Sequence, residues 1–254
     1  MNLLLPGIAA AYLLTFARVG TLIMLMPGIG EQLVSARIRL AFALLVALLL
    51  FPMVRPLLPE TNGALAGPGL IALLFGELVV GLVLGLAVRM VLAALQTAGI
   101  VISQALGLSY AMTVDPTMGG QQAALGNFLT LLGVTLIFAT DLHHLALEAV
   151  GRSYALLPPE GVPGLGEAAQ LALRAMARGF ALALQISAPF IAFAILFNLG
   201  LGVLSRLMPQ LQVFFVAVPA SILIGMLILL GALGVVMGVF LDDLGRYLGD
   251  FLGR

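Results

Sequence analysis

LIALLFGELVVGLVLGLAVRMVLAAL, residues 70–95, carries only two ionisable side chains, Glu77 and Arg89. A run this long and apolar exceeds the roughly 18 residues that mark a membrane-spanning helix. The next stretch, residues 96–122, reads QTAGIVISQALGLSYAMTVDPTMGGQQ and has a different character. It holds one formal charge, Asp115, but four glutamines and the hydroxyls of Thr97, Ser103, Ser109, Thr113 and Thr117. That is too polar to face lipid and too uncharged for a solvated linker. Irregular backbone at membrane depth is tolerated only where it is buried in protein or lines a wet cavity. The pair of segments therefore predicts an apolar helix leading into a re-entrant polar loop.

The rest of the chain agrees with the first of these segments. Of 254 residues 62% are hydrophobic and 9% charged, against about 25% charged in soluble domains; a soluble globular protein is excluded. Apolar runs at 8–26, 39–55, 70–95, 122–140, 167–207 and 212–240 predict an all-α, helical-hairpin protein with about six long helices. Pro27-Gly28 ends the first run, and Pro52, Pro56 and Pro59 break up the end of the second. Leu157–Gly166, LPPEGVPGLG, is the best internal boundary. It divides a unit of residues 1–160 from a helical hairpin of 161–254, turned at Met208-Pro209-Gln210. A helix of about 40 residues spans about 60 Å, so the hairpin either kinks at Pro189 or projects beyond the hydrocarbon. The last segment, LDDLGRYLGDFLGR, is amphipathic and reads either as an interfacial helix or as a docking element.

Several chemistries have no basis here. All basic residues are Arg and the net charge is zero, so nothing attracts nucleic acid. No cysteine is present, which removes disulfides and thiolate metal sites. Phosphate-cradling GxxxxGK, GxSxG and paired catalytic carboxylates are missing. We expect no enzymatic activity, catalytic residue or cofactor. Asp141, His143, His144 and Glu148 could place three ligands, Asp141, His144 and Glu148, on one helical face. The pattern is not HExxH, and it is read as a polar helix end rather than a metal site.

Charges inside apolar runs need partners or water, since each costs about 2.5 kcal/mol or more in a membrane interior. Arg18, Glu77 and Arg89 are of this kind. Glu77 and Arg89 lie about 18 Å apart along one helix and cannot pair there, whereas an inter-helix pair Arg18–Glu77 is open. A proton relay and charges satisfied at protein interfaces are the two readings, and the second is favoured. Gln170, Arg174, Arg178 and Gln185 form a polar stripe that must meet protein, water or headgroups. Within 96–122, helix geometry places Gln96, Gly99, Ser103 and Gly107 on one face with Gln104 beside them, read as a pore-facing stripe. Asp115-Pro116 and Gly119-Gly120 then prevent regular helix. Leu108–Met118 reads as a pore-lining loop whose Tyr110, Met112 and Met118 fill a constriction, Met being adaptable enough to seal and re-pack.

A family resemblance runs over nearly the whole length. It is carried by Phe16-Ala17-Arg18, Arg37-x-Arg39-Leu40, Ala105-Leu106-Gly107-Leu108-Ser109-Tyr110-Ala111, Asp115-Pro116 and Asp141-Leu142-His143-His144. Ser153-Tyr154, Ala188-Pro189, Asn198-Leu199-Gly200-Leu201-Gly202 and Ser205-Arg206-Leu207-Met208-Pro209-Gln210 follow in order. On these residues the chain resembles the FliR family of flagellar type III export-gate subunits. The resemblance implies a helical assembly with FliP, FliQ and FlhB homologues within the basal body ring, at the bacterial inner membrane. It also implies passage of unfolded flagellar substrates, a FliP-like first part, and a FliQ-like hairpin. Residues Leu108, Ser109, Tyr110, Ala111, Met112, Thr113, Asp115 and Met118 would form the plug, with Tyr110 where the family usually has Phe. Arg174, Arg178 and Arg206 would anchor subunit contacts. The homologous injectisome subunit and a small-solute secondary transporter are the alternatives; the latter lacks internal repeats.

Overall fold

A computed structural model describes residues 4–26, 28, 30, 34–59, 68–108, 121–159, 165–208 and 213–252. The chain is an all-α hydrophobic protein. Its helices are α1 (Leu4–Leu25), α2 (Ala36–Val54), α3 (Pro68–Ala105), α4 (Gln121–Ala139), α5 (Leu142–Leu156), α6 (Leu165–Leu207) and α7 (Val213–Leu252). A short 3-10 turn, Arg55–Leu57, follows α2. Helix α2 continues through Pro52, so that proline does not end it; termination falls to Pro56, which sits inside the 3-10 turn. Among the described residues five helices are long and apolar enough to cross a membrane, and the helices on either side of Thr140 pass the same test only as one bent span. At 43 and 40 residues, α6 and α7 are about 60–65 Å long, beyond the about 30 Å of hydrocarbon. Helix α6 runs uninterrupted past Pro189.

Two compact units are present, each assembled from distant parts of the chain. The first comprises residues 1–91, 138–177 and 245–254. Its core packs Val19, Leu22 and Ile23 of α1 against Ala43, Val46 and Ala47 of α2, Val80 and Leu84 of α3, and Val150 of α5. A second cluster joins Leu14, Val54, Leu58 and Tyr154. The second unit comprises residues 92–137 and 178–244, with Leu95, Ile102, Leu106, Leu129, Phe190 and Phe240 among its fully buried side chains.

Glycines explain how helices without bulky interlocking side chains approach so closely. A Cβ at Gly81 would run into the Thr21 hydroxyl, and one at Gly85 would lie 2.8 Å from Leu25. The Gly81-x-x-x-Gly85 pair therefore lets α3 lie against α1. At Gly99 an added Cβ would strike the backbone of Gly126, so α3 and α4 touch main chain to main chain. Gly231, Gly234 and Gly238 of α7 behave differently: among the described residues an added Cβ there would meet nothing within 4 Å. Forcing the tight crossing apart costs about 1–3 kcal/mol, while an alanine in open helix gains about 0.5–1 kcal/mol of propensity. Thermal unfolding in detergent should therefore show G99A clearly destabilised and G234A neutral or slightly stabilised.

Candidate functional site

The sequence placed the functional loop after Gly107, and the structure shows how its stem is held. Helix α3 ends in a Schellman arrangement: the Leu108 N–H donates to Ser103 O at 3.0 Å and the Gly107 N–H to Gln104 O at 3.0 Å. Gly107 takes φ 81°, a conformation costly for residues with a Cβ. Leu106 is fully buried and seats on α7 at Gly225, where a Cβ would overlap its side chain. Its carbonyl accepts a hydrogen bond from the Ser221 hydroxyl at 3.1 Å. The turn is thereby locked on both its side chain and its backbone, and the chain leaves it at Leu108 in a defined place. Ser109, Tyr110, Ala111, Met112, Thr113, Asp115 and Met118 lie outside the described residues.

Of the expected pore-facing stripe, Gly99 and Ser103 are buried, and Ser103 donates its hydroxyl to Gly99 O at 2.7 Å. Gln96 lies over Gly126 and accepts from the Thr130 hydroxyl at 3.3 Å. Gly99 and Gln96 thus face α4, Ser103 is bonded back to its own helix, and Gly107 is buried in the terminating turn. Gln104 alone of the five is exposed. It borders an open groove of about 600 Å³ with Val101, Ala105, Ile191, Ala194, Ile195, Asn198 and Leu199.

A second polar centre lies in the first unit. Arg18 on α1 is fully buried and Glu77 on α3 nearly so. The guanidinium donates from Nε to Glu77 Oε2 at 2.6 Å and from one terminal nitrogen to Oε1 at 2.8 Å. This bidentate geometry is the strong form of the pair. The remaining N–H groups reach Ser153 O at 3.0 Å, Ser153 Oγ at 3.4 Å and Leu157 O at 2.8 Å. Both carbonyls sit at the C-terminal end of α5, where the helix dipole favours a cation, and Ser153 O also accepts the Leu157 N–H at 2.9 Å. The guanidinium carbon also lies 4.0 Å from the Tyr154 ring centre, and the Tyr154 hydroxyl donates to Thr15 O at 3.3 Å. The open pairing of Arg18 with Glu77 is thus made, within the chain.

Comparison with known proteins matches residues 9–247 to "Bacterial export proteins, family 1". The chain belongs to this family. The flagellar biosynthetic protein FliR of Caulobacter vibrioides is 42% identical over 241 residues, 94% of each chain. That of Bacillus subtilis is 31% identical over 233 residues, 90% of this chain and 88% of the relative. That of Escherichia coli K12 is 28% identical over 215 residues, 84% and 80% respectively. The FliR resemblance read from the motifs is borne out, and the chain is a flagellar export component of membrane-protein character.

For this bacterial export protein the remaining expected residues separate into one that is paired and three that are exposed. Arg178 donates to Asp243 Oδ1 and Oδ2 at 3.1 Å and to the Asp243 carbonyl at 3.1 Å, clamping α6 to α7. Arg89, Arg174 and Arg206 are exposed. The amphipathic tail is neither a separate interfacial helix nor a free docking element. It continues α7 without a break, and Leu244, Tyr247 and Leu248 bury its apolar face within the chain. The roles of Ser153, Leu157 and Tyr154 around Arg18 were missed, and so was Asp243 as the partner of Arg178. The usable signal was local: Ser153-Tyr154 lies just before Pro158-Pro159, where a helix must end and expose its carbonyls.

Removing one partner of a buried ion pair strands the other and costs about 3–5 kcal/mol, whereas an apolar pair of similar volume is often neutral. Unfolding midpoints in detergent should therefore fall strongly for R18M and for E77M separately. The double variant should recover most of the loss; additive losses would mean that the pair is not the stabilising unit.

Proposed function

We propose that this chain is a non-enzymatic subunit of the flagellar type III protein export gate, with residues 108–118 acting as its plug. In this reading it assembles with FliP- and FliQ-type proteins, and with an FlhB homologue, in the inner membrane at the basal body ring. Together they form the conduit for unfolded flagellar substrates. Residues 1–160 serve as the FliP-like part and 161–254 as the FliQ-like hairpin. The observation that carries the plug assignment is the stem. A loop that holds Met112, Met118 and Ser109 and a single charge, Asp115, begins directly after a turn that is bonded, buried and wedged. A closure needs that combination: a fixed root, so that the loop returns to one position, and an adaptable tip, so that it yields to polypeptide.

The relatives named above are all flagellar proteins, which supports the flagellar rather than the injectisome reading. A small-solute transporter would use Glu77, Arg89 and the broken segment as one site. Glu77 is held bidentately by Arg18 and Arg89 is exposed, which argues against that constellation. Gln104 remains the stripe residue best placed to line a passage, while Arg174 and Arg206 are the cations left for subunit contacts.

Conductance measurements on the assembled gate test the plug. Deleting residues 108–118 should raise ion leakage, with Y110F tight and Y110A leaky. Replacing Gly225 with Leu should also leak, because it evicts Leu106 from the stem. Unchanged conductance in the deletion would remove the sealing role.

A further inference from the structure

The turn between α4 and α5 holds a group of metal-ligating side chains that the export function does not use. Thr140 and Asp141 alone separate the two helices. Asp141 has φ 59° and ψ 13°, the only positive φ outside glycine among the described residues. It occupies the position before the first turn of α5, where an aspartate normally caps a backbone N–H, yet its carboxylate makes no such bond. The backbone does that work instead, the His144 N–H donating to Asp141 O at 3.0 Å.

The carboxylate lies beside the His144 ring. Asp141 Oδ1 is 3.6 Å from His144 Nδ1, too long for a hydrogen bond. His143 stacks on His144 with ring centres 4.1 Å apart, and Phe138 covers it at 5.1 Å. The Nδ1 of His143 is shut off from solvent with no hydrogen-bond partner. One ligand atom from each of Asp141, His143 and His144 lies within 4.8 Å of the other two. Bonds of about 2.0–2.2 Å around a tetrahedral zinc ion put neighbouring ligand atoms about 3.3 Å apart. The Asp141–His144 separation is already close to that value, and small side-chain rotations would bring in the third ligand.

We propose that Asp141, His143 and His144 bind a divalent transition-metal ion of the zinc class, clipping the turn that starts α5. Two imidazoles and a carboxylate select such ions over calcium or magnesium, which want oxygen ligands. Three protein ligands leave a fourth position for water. A cation held through His143 Nδ1 supplies the partner that this buried nitrogen lacks. The ligand set differs from the one that helical spacing suggests. Glu148 turns to Arg152 at 3.4 Å, and His143 takes its place because the left-handed Asp141 lets the carboxylate face both rings.

The test uses the full chain, purified in detergent without a histidine tag and stripped with chelator. It is titrated with zinc chloride against a chromophoric competitor, and with cobalt chloride by visible absorption. One equivalent of zinc should bind per chain, and cobalt should show the ligand-field bands of a low-coordinate site. Losing an outer-shell partner already costs a metal site about 10-fold; D141N and H144Q, which remove ligands, should each weaken zinc binding by at least that much. E148Q should leave it unchanged. Asp141 and His144 are exposed (77% and 69%), and unchanged unfolding in chelator would show that these variants still fold. No stoichiometric zinc binding, equal binding by D141N and H144Q, or an equal loss in E148Q would each overturn the proposal.

Discussion

Arg18 sets the architecture of the first unit because a guanidinium without solvent must have every N–H satisfied. Its partners come from residues 59, 135 and 139 positions away in sequence, on α3 and at the end of α5. No arrangement of α1, α3 and α5 that separates these groups is affordable, since a stranded buried charge costs several kcal/mol. The apolar cores around it, Val19 with Val80 and Leu14 with Tyr154, are permissive by comparison. Aliphatic side chains accept many packings, but a bidentate carboxylate and two helix-terminal carbonyls accept very few. The cluster therefore contributes position more than net stability.

Close approach of helices is the second constraint, and glycine decides where it occurs. Gly81, Gly99 and Gly225 each sit where a Cβ would collide with a neighbouring helix or its side chains. All three crossings serve the same end. The first brings Glu77 within reach of Arg18, and the second fixes α3 on α4. The third makes room for Leu106, whose burial roots the turn from which the loop departs. Gly234 and Gly238 show the same spacing as Gly81 and Gly85, but a Cβ there would meet no neighbouring atom of the described residues within 4 Å. A spacing motif permits contact and does not create it.

Much of this was legible in the residues. Apolar runs of spanning length gave the helices, and the rarity of charge excluded a soluble domain. The loss of regular helix followed from Asp115-Pro116 and Gly119-Gly120, and the read end at Gly107 lies two residues beyond the observed end at Ala105. Other features escaped because they depend on what lies across from a residue rather than beside it. Arg178 read as a free anchor until α7 brought Asp243 against it. Gln96 read as facing a passage, but the closeness that Gly99 allows sets it against Gly126 and Thr130 of α4. The tail read as a separate amphipathic helix because Asp242 and Asp243 interrupt the apolar run. Helical propagation needs no apolar side chain, so α7 simply continues and buries Leu244 and Leu248.

By itself, then, the sequence determined an all-α membrane-type chain, the helix starts to within a few residues except for Leu142–Leu156, its family, and the place where regular structure gives way to a polar loop. These follow from composition, periodicity and backbone stereochemistry, which act over a few neighbouring residues. Only the tertiary structure decided which charges are spent inside the molecule, which glycines are contacts, and how the loop is rooted. Those outcomes rest on pairings between residues far apart in the chain, from 59 positions for Arg18 with Glu77 to 135 for Arg18 with Ser153. Local rules carry no information about such distances.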